Sequence, residues 1–78
     1  MRRKLNPEAH SLIAKTGLSL SDFAAQANID RSILYRIGRT VRGSTAWKIA
    51  RTLAAASGTT PEQAYAQIIV EESADRAE

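Results

Sequence analysis

The side chains best placed to do chemistry in this chain are closely spaced arginines, Arg31, Arg36 and Arg39, interleaved with Ser32 and Tyr35. A guanidinium is a permanent cation with a planar fork of donors, so it suits paired acceptors such as phosphate oxygens or the O6 and N7 edge of guanine. The groups that catalysis draws on are sparse. His10 is the only histidine and there is no cysteine, so the chain offers no imidazole pair, thiolate nucleophile or thiolate metal site. No glycine-rich phosphate cradle or evident acid pair takes their place. The sequence predicts recognition rather than catalysis: no enzyme, no metal and no cofactor.

Positioning these arginines takes two short helices and a tight turn, which residues 20–39, LSDFAAQANIDRSILYRIGR, are suited to form. Phe23, Ala27, Ile29, Leu34 and Ile37 recur at a spacing that lets two crossed helices bury a shared face. Ala24 sits where the two backbones must approach closely, and Asn28 at a turn position that needs positive φ, which asparagine tolerates better than most residues with a side chain. Wound at about 100° per residue, Ile33, Leu34 and Ile37 share one arc of the second helix, and Arg31, Ser32, Tyr35, Arg36 and Arg39 fill another. One arc is core; the other is a reader. Asp30 precedes this helix as its N-cap, and Ser19 with Asp22 forms a capping arrangement for the helix before it.

Charge is unevenly distributed. The net charge is +3, but residues 1–51 hold ten Lys or Arg against three acids, net +7, and residues 52–78 hold one against five, net −4. A basic front meets phosphate; its coincidence with the arginine-bearing helix gives the asymmetry its weight. The 78 residues suit one domain. Absence of cysteine, of an apolar run approaching ~20 residues and of a signal-peptide core leads to the expectation of a cytoplasmic protein with no membrane contact.

The remaining elements follow in order. Residues 1–5 are expected to be a flexible basic arm, with Arg2, Arg3 and Lys4 available to phosphates. A first helix should start with Asn6 as cap and Pro7 at its first position, bury Ala9, Leu12 and Ile13, and stop near Gly17. After the reader helix, GRTVRG over residues 38–43 should be a loop that approaches phosphate with Arg39, Thr40 and Arg42. A fourth helix is expected after Ser44 to about Ser57, burying Ala46, Ile49, Ala50, Leu53 and Ala56, with Trp47 as a core wedge and Gly58 as the stop. Lys48 points away from that stripe, toward DNA backbone or toward solvent. Thr60-Pro61-Glu62-Gln63 opens a fifth helix whose Ala66 and Val70 lie off its buried face, which suggests a subunit contact. The last residues, 71–78, read as an acidic polar tail that frays beyond Ser73. The expected fold is all-α, a compact bundle of about five short helices over residues 6–70.

The full run LSLSDFAAQANIDRSILYRI over residues 18–37, the basic loop and AWKIARTLA over residues 46–54 resemble the lambda-repressor-like helix-turn-helix family, of the Cro, phage-repressor and xenobiotic-response-element type. The likeness extends over roughly residues 5–65. Leu20 stands where the family often has glutamine, Asn28 replaces a common glycine, and Gly38 replaces a common acid. The resemblance implies a sequence-specific DNA-binding regulator, a small phage- or plasmid-type repressor that binds a palindromic operator as a homodimer, possibly one assembled on double-stranded DNA. By carry-over, Arg31, Ser32 and Arg36 would touch base edges. Ser19, Tyr35 and Lys48 would join the arm and the loop on phosphate. Val41 would lie near the twofold axis or tuck into the core. A different class stays open: an adaptor or antitoxin-like protein whose C-terminal segment binds a protein partner. Non-specific nucleoid or RNA binding is a third reading.

Overall fold

The chain runs as strand β1 (Arg2–Leu5), helices α1 (Ala9–Ala14) and α2 (Leu20–Ala27), a 3-10 helix (Arg31–Tyr35), helices α3 (Gly43–Ser57) and α4 (Pro61–Ile68), and strand β2 (Ile69–Glu72). The structure, a computed structural model, describes residues 2–36 and 39–72. The expected core role of Ile37, the loop start at Gly38 and the tail over residues 73–78 lie outside the described residues.

Short polar residues start the helices that the sequence marks. Ser19 Oγ accepts the Asp22 N–H at 3.0 Å ahead of α2, and Thr60 Oγ1 accepts the Gln63 N–H at 3.2 Å ahead of α4. Gly58, at φ 75°, ends α3 in the left-handed region that glycine enters without a Cβ penalty. The first helix starts later than expected. Asn6 Oδ1 accepts the Glu8 N–H at 2.8 Å, so this turn holds Pro7 and Glu8 ahead of α1, and Glu8, at the N-cap position, makes no side-chain cap.

The fold is mostly helical but not all-α. β1 pairs antiparallel with β2, setting Arg2 opposite Glu72, Arg3 opposite Glu71, Lys4 opposite Val70 and Leu5 opposite Ile69. The basic arm is therefore a strand. The run Ile68-Ile69-Val70 explains why: three β-branched side chains in succession crowd a helix and suit a pleat, so α4 stops at Ile68 and the chain extends. Leu5 and Ile69 are buried, each gaining about 1.5–3 kcal/mol from burial, which offsets part of the cost of ordering the strands. This strand formation also separates the two residues expected on one helix face. Ala66 is exposed on α4, and Val70 stands in β2 across from Lys4.

One core joins all the elements. Leu5, Ile13, Phe23, Leu34, Ile49 and Ile68 are its large fully buried side chains. α3 lies between α2 and α4, and Ala54, not Ala56, completes its buried stripe. Trp47 stacks on Tyr65 with ring centroids 4.4 Å apart and 23° between planes, forming a half-buried wedge at the edge of the core.

Candidate nucleic-acid interface

The turn between α2 and the 3-10 helix is built by Asn28. Its φ of 60° and ψ of 46° place it in the left-handed region, and the Ile29 N–H donates to the Ala24 carbonyl at 3.0 Å to close the helix end. Ala24 and Ala27 are buried on the inner side. Asp30 then starts the next element: its Oδ1 accepts the Ser32 N–H at 2.9 Å. That backbone bond, assisted by the Ser32 side chain and by Arg36 and Arg31, holds the Asp30 carboxyl below its ordinary value.

The reader segment is a 3-10 helix, not the α-helix assumed for the 100° wheel. In 3-10 winding, residues three apart eclipse, so Arg31 lies on the same edge as Leu34 rather than about 60° away from it. Leu34 is fully buried. Arg31 follows that edge toward α2, where its Nη1 donates to Ser21 Oγ at 3.1 Å. Of the three expected base readers, Arg31 is exposed and braced against α2, and Ser32 is half-buried with its backbone N–H committed to the cap. Arg36 is exposed at the end of the element, with φ −103° and ψ 53°.

Exposed polar groups then accumulate along the chain. Tyr35 is 58 % exposed, with its ring edge-on to His10 at 6.0 Å. His10 Nε2–H donates to the Leu34 carbonyl at 2.5 Å, so α1 holds the end of the 3-10 helix through the one histidine. The Arg39 N–H donates to the Arg36 carbonyl at 3.1 Å, joining the last expected base reader to the first expected phosphate clamp. Arg36, Thr40 and Arg42 share a groove of about 200 Å³ with Ile33, Val41 and Thr45. Val41 is half-buried against the core, and its N–H donates to the Arg3 carbonyl at 2.7 Å. Arg42 precedes α3 without a side-chain cap, so the first amides of a 15-residue helix have no capping side chain beside these cations.

The strand geometry divides the three cations expected along one arm. Alternation puts Arg3 with Leu5 on one face of β1, and Arg2 with Lys4 on the other. Lys4 also forms an isolated bridge with Thr40, so β1 lies between β2 and the basic loop. Arg3 Nε donates to Tyr65 Oη at 2.9 Å, and Tyr65 in turn donates to Glu71 Oε2 at 2.5 Å. Burial, reinforced by the bond to Glu71, pushes the Tyr65 phenol above its ordinary value. Lys48 is half-buried in another groove, with Gln26, Asn28 and Arg51. Ser19 spends its oxygen on the α2 cap, as Asp22 requires.

Tyr65 and Glu71 have no place among the residues expected at the interface. The signal for them was the charge pattern of RRKL against IVEE, which gains meaning only when the two strands are paired. Among the described residues, no cluster of His, Asp or Glu is placed to hold a metal ion, and no helix is long and apolar enough to cross a membrane. Comparison of the chain with protein-family models, curated proteins and solved structures gave no match.

Proposed function

We propose that this chain is a sequence-specific DNA-binding regulator, a small repressor of phage or plasmid type that acts by occupying promoter DNA. It works inside the cell, without catalysis or cofactor. The observation that carries this reading is the sequence Leu34, Tyr35, Arg36, Arg39, Thr40, Arg42: the first is buried, and the rest are exposed and predominantly basic, after the tight turn at Asn28. Arg36 is the principal base reader in this proposal, since two parallel bonds to guanine discriminate by about 1–3 kcal/mol. Arg39, Thr40 and Arg42 hold phosphate, with the open head of α3 beside them. Arg31 contributes a braced positive charge and Ser32 a short polar contact. A pair of chains docks on a palindromic site, with half-sites about one helical turn apart.

The test is selection of bound sites from a random duplex pool at about 150 mM salt, repeated with Arg36→Ala and Arg39→Ala. An inverted repeat is expected, relaxed at one base by the first substitution and weakened uniformly by the second. Failure to enrich any sequence would sink the proposal and favour a protein partner for the acidic segment.

A further inference from the structure

We propose that Glu71 is an internal counterion that competes with DNA phosphate for Arg3, so that docking exchanges a carboxylate of the chain for a phosphate of the duplex. This rests on the DNA-binding reading above. Arg3 is joined to the basic loop twice: its carbonyl accepts the Val41 N–H at 2.7 Å, and its guanidinium carbon lies 3.5 Å from where a Cβ on Gly43 would stand. The cation therefore sits at the head of α3, next to Arg42. Its Nε donates to Tyr65 Oη at 2.9 Å and lies 3.7 Å from Glu71 Oε2, while Tyr65 donates to that same carboxylate oxygen.

Exposure makes the pair exchangeable. The Arg3 and Glu71 side chains are 34 % and 40 % exposed, and ion pairs this open to water are weak and screened by salt. A phosphate offers the same geometry of paired oxygens as a carboxylate. Tyr65 fixes the guanidinium meanwhile, because its ring is stacked on Trp47. Arg3 is thereby kept in place for phosphate and neutralised until phosphate arrives.

A double-mutant cycle on a mixed-sequence duplex, which needs no knowledge of an operator, tests this. Wild type, Glu71→Gln, Arg3→Gln and the double variant are titrated between about 50 and 200 mM salt, with Trp47 emission checking that each retains its fold. Glu71→Gln is expected to bind about two- to fivefold tighter, the range of an exposed ion pair, with its salt slope close to that of wild type, because Arg3 reaches the same phosphate in both proteins. The gain should vanish when Arg3 is already glutamine. A gain that persists in the Arg3→Gln background would be an effect of net charge and would overturn the proposal. No gain at all from Glu71→Gln, with wild type binding normally, would overturn it while leaving the DNA reading intact. If none of the four proteins binds duplex, the DNA reading falls and this proposal falls with it.

Discussion

Leu34 fixes which side chains of the 3-10 helix face outward, so its truncation tests the phase on which the candidate interface depends. It is the one buried residue of that element and is completely enclosed. Leu34→Ala removes three carbons; at ~0.8 kcal/mol per methylene the transfer loss is about 2.4 kcal/mol. The vacated space raises the cost, within the range of about 2–5 kcal/mol for such truncations. A chain of 78 residues has a total stability of roughly 4–12 kcal/mol, so this one change removes a large share. Taking 3 kcal/mol as the cost, the melting temperature should fall by roughly 12–24 °C. Ile33 is only half-buried, and Ile33→Ala should cost about half as much. Thermal unfolding followed by far-ultraviolet circular dichroism and by Trp47 emission measures both. An Ile33→Ala cost equal to or above that of Leu34→Ala would mean the segment is rotated about its axis, and the outward placement of Tyr35 and Arg36 would fail with it.

Asp30 gives a pH signature. Its folded-state carboxyl titrates below the unfolded value, so its stabilising contribution is present above about pH 4 and disappears as pH falls through the lower, folded value. Relative to Asp30→Asn, wild type should lose its stability advantage only in that acid window; parallel melting-temperature curves down to about pH 2 would contradict this. At Asn28, the positive φ of 60° is hostile to a β-branched side chain, so Asn28→Val should destabilise by about 1–2 kcal/mol. Chemical denaturation reads this directly, and an unchanged midpoint would show that the turn has another geometry.

Much of the helical scaffold is legible locally. Ser19, Asn28, Asp30, Gly58 and Thr60 act on backbone within a few residues of themselves, and each does in the structure what its type and position imply. The buried positions Phe23, Leu34, Ile49 and Leu53 likewise follow from helical spacing. Choices between closely matched local states are harder to read. Arg31–Tyr35 is too short for its periodicity to separate 3-10 from α winding, and that difference redirects Arg31 toward Ser21. The sheet is out of local reach altogether. β1 pairs with β2 from far along the chain, and the Arg3–Tyr65 bond joins residues 62 apart in sequence. The exposure of Arg36, Arg39 and Arg42 was readable; the pairing of Arg3 with Tyr65 and Glu71 was not, because neither strand announces the other.

The strand pairing also sets a timetable for the newly made protein. β1 is made before residues 69–72, with which it pairs, and the Val41–Arg3 bond ties the basic loop to β1. At about 5–20 residues per second, the loop waits on the order of a few seconds for residues 69–72 to complete its support. During synthesis the basic loop thus precedes the closing strand that completes the support beneath it. The one arrangement of that basic loop is therefore set only once β2 has paired, whereas its charge is present as soon as its residues are made.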